Sequence, residues 1–546
     1  MCSSDLEWSK SEQPPASSVQ ASAQARVEGR SNIGLRFSPF RSSGPRRGFR
    51  PVAFVGRLWN PAEVQAPYSA VPAARTGEER PGSDSLALGL LLSALGLGLL
   101  RFWRLSEWSL WYDEAATWFD FRSSLASPEI HNALGYRAIG WAVGLCGGEP
   151  TEFNLRILPA LAGWLVIPLT WWAFRPFAGS RRAAAAALLV SASSWQLYWS
   201  QNVRFYTLAQ LFAVAGSGLV LRGLWRARIL PALAGSVLIA GAGLFHVSAS
   251  VLLPALVLAT WLLSPLALPE LKASRRVRVA LLLVLLAGLA AGSTWALHAF
   301  ETFERHEAGA SPLHYLLTTG FYVTPLLCAA ALVGACVAWK RRSAFGLLAA
   351  LTVTLGLAAL GVASLRVTVA AKFVFAFLPW IAVLATWPLE SDARDGAEAR
   401  PFALGWLAVL VLPALASTAL YFGPRAGERP PWRAAYELVW NLREPDDLIL
   451  GMEAPVGEYY LSALGADLQN PERVAWLDRW RAHRPRDWAA HARRAWYVFN
   501  PEQLKGWEDA DREDFERFLR EQCRLVKCFP LYVESRDLSV WVYVRG

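Results

Sequence analysis

Leu86–Phe102 reads LALGLLLSALGLGLLRF, and a few residues later comes Ser109-Leu110-Trp111-Tyr112-Asp113-Glu114. The first stretch is long and apolar enough for a helix crossing a bilayer, which needs about 20 such residues. The second places two adjacent carboxylates, wrapped in aromatics, at the membrane boundary. Ionisable groups there are costly to desolvate and are candidates for function. Two neighbouring carboxylates disfavour each other's ionisation, and a carboxyl held closer to neutrality serves as a general base. Asp113 is the candidate base and Glu114 its helper. A structural role competes: Asp113 as N-cap of a short helix, Glu114 to Phe121.

Further apolar segments lie near 155–174, 183–199, 205–221, 229–245, 247–264, 279–298, 316–338, 344–363, 371–388 and 402–421. The expectation is a polytopic α-helical membrane protein with about eleven crossing helices. The stretch 229–264 reads either as two short helices or as one tilted helix. Composition agrees: 54% of the 546 residues are hydrophobic and only 18% charged, with mean hydropathy +0.26. The 27 tryptophans suit a protein with many membrane–water interfaces.

The formal charge of +10 follows the positive-inside pattern and does not point to a nucleic-acid partner. Arg175, Arg181 and Arg182, then Arg222, Arg226 and Arg228, then Lys272, Arg275, Arg276 and Arg278, then Lys340, Arg341 and Arg342 fall in every second loop. Those loops and the N-terminus are assigned to the cytoplasm, provided 229–264 crosses twice. The first loop, 103–154, then faces outward, as do Glu301–Tyr315 and the tail.

Residues 1–82 form an arm without apolar periodicity; between Arg26 and Arg57 it carries eight arginines and one acid, Glu28. It reads as a disordered basic arm or a targeting-like leader. Residues 83–422 are the membrane domain. Residues 423–546 are polar, with a helix-like stretch at Trp432–Leu442 and strand-like runs at Leu448–Leu450, Ala495–Phe499 and Ser539–Val544. They are expected to make a small extracytoplasmic α/β domain. Cys523 and Cys528 within it read equally as a local disulfide or as two free thiols.

More polar residues stand at the outward ends of the spans. His131, in His131-Asn132-Ala133-Leu134-Gly135-Tyr136, is either a metal or phosphate ligand or a polar loop contact. Arg156, in Asn154-Leu155-Arg156-Ile157-Leu158-Pro159, either binds lipid phosphate or anchors the helix at the headgroups. Trp199-Ser200-Gln201-Asn202-Val203-Arg204-Phe205-Tyr206 puts an arginine at membrane level, where it needs an anionic partner, and a guanidinium fork matches phosphate oxygens. His246 sits at an outward turn as a ligand or a satisfied turn histidine. Arg366 and Lys372 flank the start of a late span, to bind phosphate or to snorkel. With no GxGxxG or nucleotide-binding loop, a membrane-embedded activated donor fits better than a soluble nucleotide-sugar.

This ordered set resembles the GT-C superfamily of integral-membrane glycosyltransferases, and within it the family 39 group: protein O-mannosyltransferases, the aminoarabinose transferases of lipid A and RgtA/B/C/D-like bacterial enzymes. The resemblance covers about 84–390. It rests on Asp113-Glu114 in the first outer loop, an Arg156-led entry to the next span, the Ser200-Gln201-Asn202-Val203-Arg204-Phe205-Tyr206 run, and Lys372-Phe373 before a Pro379-bearing helix. Two departures stand out. The proline-rich run after His131 is lost, and Asn202 replaces an acid.

The resemblance implies inverting transfer of a hexosyl or pentosyl group from a polyprenyl-phosphate sugar to a hydroxyl of a lipid, protein or glycan. The outer face of a bacterial plasma membrane is the implied place. Asp113 is then the base, Glu114 orients the acceptor or helps hold Asp113, and Arg204 and Lys372 contact the lipid phosphate. Gln201, Tyr206, His131, Arg156, His246 and Arg366 complete the implied substrate-binding set. Some relatives use a divalent metal at the acidic loop and others do not. Two other readings compete. A lipid or solute transporter would carry ionisable residues in mid-helix. A non-catalytic membrane scaffold would leave Asp113, Glu114 and Arg204 dispensable.

Overall fold

A computed structural model describes residues 81–122, 133–264, 275–306, 311–367, 369–389, 399–470, 472–477 and 492–546. Residues 78–546 form one compact unit. Of the basic arm expected over 1–82, residues 1–80 lie outside the described residues, as does His131, while 81–82 begin the first helix.

The chain is an integral membrane protein built from apolar helices. Among the described residues six are long and apolar enough to span a bilayer: Ser85–Phe102, Glu152–Ala178, Tyr206–Trp225, Ala344–Ala363, Ala371–Leu389 and Phe402–Phe422. A seventh span is made if Pro312–Val323 and Pro325–Lys340 are counted together. Among the described residues the expected count of about eleven is not confirmed: segment 183–199 is broken, 316–338 is bent, and 229–245 and 247–264 are short. Segment 183–199 divides at Ser193 into Ser180–Ala192 and Ser194–Ser200. Of the two readings of 229–264, the structure has the two short helices, Ile229–Phe245 and Val247–Leu262, meeting at His246, whose backbone is extended. Segment 316–338 bends by 93° at Thr324. There Pro325 starts the next helix, where its missing N–H costs nothing. The Thr324 side chain accepts the Leu327 N–H while its backbone takes φ 76°.

Small residues let two helices cross closely. A Cβ on Gly216 would lie 2.6 Å from the Gly235 carbonyl oxygen, and one on Gly235 would lie 2.5 Å from that of Gly216. Only glycine permits this approach between Tyr206–Trp225 and Ile229–Phe245.

The first loop contributes two helices, here α1 (Tyr112–Arg122) and α2 (Ala133–Leu145). The tail is α/β, as expected. Its main sheet has strands β1 (Leu448–Gly451), β2 (Val474–Trp476), β3 (Ala495–Phe499), β4 (Arg524–Phe529) and β7 (Val540–Arg545), and β5 (Tyr532–Val533) and β6 (Arg536–Asp537) form a separate pair. The sheet order is β2-β1-β3-β7-β4, with β1 parallel to β2 and β3, and β7 antiparallel to β3 and β4. Strands β1 and β3 are buried throughout, while β7 alternates buried and half-buried positions. Helices Trp432–Leu442, Ala454–Ala463 and Asp509–Gln522 accompany the sheet. Cys523 and Cys528 carry free thiols, so the expected alternative of a local disulfide is not formed.

The tail shares its main core with the first loop. Leu110, Ala115 and Trp118 of the first loop, with Leu155 and Val203, pack in one hydrophobic cluster with Trp432, Tyr436, Tyr460 and Trp496 of the tail. The loop after the first span and the segment after the last therefore lie on the same side of the membrane, and the chain crosses an odd number of times. The six spans counted among the described residues do not satisfy that parity alone, so at least one further helix crosses.

Candidate functional site

Helix α1 begins at Tyr112, and the Trp111 carbonyl accepts the N–H groups of Glu114 and Ala115. Asp113 is thus in the first turn and not at the N-cap, which corrects the capping alternative. Carboxylates in a first turn are favoured by the helix dipole. Being adjacent on a helix, about 100° apart around its axis, Asp113 and Glu114 face different surroundings.

Glu114 points inward and is fully buried. Arg156 holds it bidentately, Nε to Oε1 and Nη2 to Oε2, both at 2.8 Å. Arg429 Nε donates to Oε2 at 3.0 Å, and the Val203 N–H donates to Oε1 at 2.9 Å. Burial on its own would raise the Glu114 pKa. The charges of Arg156 and Arg429, with these hydrogen bonds, outweigh it and hold the carboxyl below its ordinary value. The expectation that the pair keeps one carboxyl near neutrality is reversed at Glu114.

Arg156 is equally consumed. Besides Glu114, Nη1 donates to the carbonyls of Leu105 and Trp108, and Nη2 to that of Ser109, each at 2.9 Å. Its donors fold the first loop around one guanidinium. The sequence suggests a lipid-phosphate ligand or a headgroup anchor; the structure places Arg156 in the loop's interior.

Asp113 has a different setting. Its side chain is 22% exposed. Arg204 Nη2 stands 4.0 Å and Lys372 Nζ 3.9 Å from Oδ2. Arg204 Nη1 also donates to the Asp113 carbonyl at 3.3 Å and to Thr117 Oγ1 at 3.0 Å. Burial would lower the Arg204 pKa, but Asp113 and then Tyr206 drive it higher, so the guanidinium is firmly charged. The Tyr206 ring lies beside these cations, its centroid 5.8 Å from Lys372 Nζ. The His246 ring lies 4.8 Å from the Tyr206 ring and 5.0 Å from that of Phe373, with Nδ1 2.7 Å from Ser248 Oγ. Asp113, Arg204, Tyr206, His246 and Lys372, spread over 260 residues, are therefore brought together.

Two other sequence candidates stand apart. Gln201 is buried; its Nε2 donates to the carbonyls of Leu100, Arg101 and Trp103, and its Oε1 accepts the Tyr421 hydroxyl at 3.0 Å. It fixes the end of the first span. Arg366 is exposed in the turn after Ala344–Ala363, and among the described residues no ion pair joins it to Asp113.

Sequence reasoning missed the tail's side of the site. Arg429 is buried on Glu114 and over the Tyr198 ring at 4.6 Å, and its Nη2 donates to the Gln201 carbonyl. Arg433 Nε donates to Glu152 Oε1 at 3.0 Å, and the Tyr460 hydroxyl accepts the Leu110 N–H at 2.6 Å. Nothing in Glu428-Arg429-Pro430-Pro431 distinguishes this arginine from the tail's other cations.

A divalent metal does not fit this donor set. The Glu114 oxygens are occupied by guanidinium and amide donors, and Asp113 faces two cations. No group of three or more His, Cys, Asp or Glu converges among the described residues. Hard divalent cations want several oxygen ligands and no competing positive charge.

Solved membrane proteins of the GT-C fold share this architecture. ArnT from Cupriavidus metallidurans superposes with a TM-score of 0.53 in the apo state, at 15% identity over 85% of this chain and 98% of that one. The same protein bound to undecaprenyl phosphate gives 0.52. The oligosaccharyltransferase AglB from Archaeoglobus fulgidus, in complex with an inhibitory peptide and a dolichol-phosphate, gives 0.52 at 10% identity, over 82% of this chain and 73% of that one. At these identities the likeness is one of fold. No family model and no curated protein matches the sequence.

Proposed function

We propose that the chain is a membrane glycosyltransferase that moves a sugar from a polyprenyl-phosphate donor to an acceptor hydroxyl. The reading rests on an asymmetry within the acid pair. Glu114 is saturated by two guanidiniums, whereas the Asp113 side chain is partly exposed beside two cations at longer range.

Asp113 is the general base. Its Oδ2 takes the acceptor's hydroxyl proton as the acceptor oxygen bonds to the anomeric carbon. The bond from that carbon to the phosphate oxygen breaks, and the polyprenyl phosphate leaves with the electron pair. Single displacement inverts the anomeric centre. Arg204 and Lys372 stabilise the charge that grows on the phosphate, the kind of preorganised term that contributes most to such steps. Before the donor arrives, Asp113 is their counter-ion; the phosphate takes that role on binding. Tyr206 and His246 hold the two cations in register. Glu114, Arg156 and Arg429 position the loop that carries Asp113. The first loop and the tail face the outer side of the membrane, with the N-terminus in the cytoplasm. The departures at 132–135 and 202 bear on which substrate is used.

The test is transfer of labelled sugar from a polyprenyl-phosphate donor pool in membranes, wild type against Asp113→Asn at matched expression. Loss of transfer in a folded variant supports the base assignment. Unchanged transfer removes Asp113 from the mechanism. A wild type inactive over a broad donor and acceptor panel returns the transporter and scaffold readings.

A further inference from the structure

Helix α1 carries a second carboxylate beyond the acid pair. Asp113, Thr117 and Asp120 stand at i, i+4 and i+7, so they share one helix face. Arg204 runs along that face, bonding the Asp113 carbonyl and Thr117 Oγ1, and its charge reaches Asp120. From α2, the Tyr136 hydroxyl donates to the Asp120 carboxylate. Tyr136 is itself fixed: it is buried, with its ring edge-on to Phe205 at a centroid distance of 5.3 Å. Gly135 permits that contact, since a Cβ there would lie 2.5 Å from the Phe205 ring.

Asp120 is only half-buried. Burial nonetheless raises its pKa more than the Tyr136 bond and Arg204 lower it, so its charge is incompletely compensated. A carboxylate offers about four lone-pair sites, and one phenol occupies one of them. The helix rise sets Asp113 and Asp120 about 10 Å apart. A sugar ring lying between them can present hydroxyls to Asp120 while its reacting atom is near Asp113. A tie serving only to join α1 and α2 would not need a charged, half-exposed group on the helix face that carries Asp113.

We infer that Asp120, oriented by Tyr136, is a substrate-binding residue that accepts hydrogen bonds from the hydroxyls of a sugar ring. The ring is either the transferred sugar or a ring of the acceptor, and the inference rests on the glycosyltransferase reading. Loss of a hydrogen bond to a charged group weakens binding roughly tenfold to a hundredfold.

The experiment uses the purified full chain in detergent. Binding of bare undecaprenyl phosphate is compared with that of undecaprenyl phosphate carrying glucose or mannose, for wild type, Asp120→Ala and Tyr136→Phe. Donor and acceptor KM are measured in the transfer assay. Bare-lipid affinity is expected to hold within about twofold, because Arg204 and Lys372 are untouched. If the ring is the donor's, the preference for loaded lipid falls about tenfold or more in Asp120→Ala, and donor KM rises with it. If the ring is the acceptor's, only acceptor KM rises.

Tyr136→Phe keeps the packing on Phe205 and shows a smaller change in the same direction; it carries the test should Asp120→Ala fail to fold. Variants with unchanged KM values and an unchanged lipid preference overturn the inference, as does equal weakening of bare and loaded lipid. A wild type that transfers nothing yet prefers the loaded lipid, with that preference lost in Asp120→Ala, sinks the transferase reading alone. A wild type showing neither transfer nor preference sinks both.

Discussion

Arg429 and Glu114 are 315 residues apart in the chain and 3.0 Å apart in the fold. That contact joins the soluble tail to the turn that carries the proposed base. It is fully buried, and Arg156 closes on the same carboxylate from the membrane side. Breaking a buried pair by removing one partner typically costs about 3–5 kcal/mol, because the other charge is left uncompensated. Here Arg156 remains, so Arg429→Ala is expected at the lower end, about 3 kcal/mol. It should appear as a lower unfolding midpoint in detergent together with reduced transfer. A variant with wild-type midpoint and activity would show that the tail does not brace the loop.

Asp113→Asn preserves shape and removes the proton acceptor. General-base catalysis contributes roughly a hundredfold to ten-thousandfold, and kcat is expected to fall by that range. The unfolding midpoint should hold, since Asp113 is partly exposed and makes only long ion pairs. Steady-state transfer and thermal unfolding on one preparation check both halves.

How much of this was legible in the sequence follows from what each residue answers to. Asp113, Arg204 and Lys372 are visible because charge at a span end is costly and needs a reason. The two members of the acid pair are not separable by eye: which carboxylate turns inward depends on Arg156 and Arg429, one 42 and the other 315 residues away. Apolar runs reveal the helical membrane architecture but not all of its breaks. The turn at His246 is visible as a gap between two apolar runs, but hydropathy does not register the break at Ser193 or the positive φ of Thr324. The Thr-Pro step at 324–325 was the readable warning of that bend. Arg429 gave no local signal, because its meaning lies entirely in its partner.

Arg204→Ala and Lys372→Ala each remove one cation from the proposed phosphate site. A hydrogen bond to a charged group is worth about 1.5–3 kcal/mol, so each should weaken undecaprenyl phosphate binding roughly tenfold to a hundredfold. Because both cations touch Asp113, the effects should not add in the double variant. Lipid titration of the single and double variants measures this directly. Additive losses would mean that the two cations act at separate sites.

Stability should respond to acid in a specific way. Glu114 has a folded pKa below its unfolded value. Its contribution is complete above the unfolded value and is lost as pH falls through the folded one. The midpoint of unfolding should therefore be insensitive to this group from neutral pH down to the ordinary glutamate range, and fall below that range. Glu114→Gln removes the titrating group and leaves two buried guanidiniums facing an amide. It should be less stable at neutral pH and flatter in acid. Parallel acid profiles for the two proteins would contradict the assignment.

Deleting the tail makes the strongest demand on this architecture. Leu110, Ala115 and Trp118 are buried against tail residues, and Leu110 gives its N–H to Tyr460. Removing 423–546 exposes that apolar surface and takes away Arg429, Arg433 and Tyr460 together. The membrane helices, held by a separate cluster, keep their packing. The truncated chain is therefore expected to insert in membranes, to be cleaved by protease within the first loop near 105–120, and to lose transfer. Adding the tail back as a separate polypeptide should restore protection at those sites if the shared core holds the loop. A truncated chain whose first loop resists protease would mean that Arg156 and Glu114 organise the loop alone, and that the tail serves something other than the shape of the site.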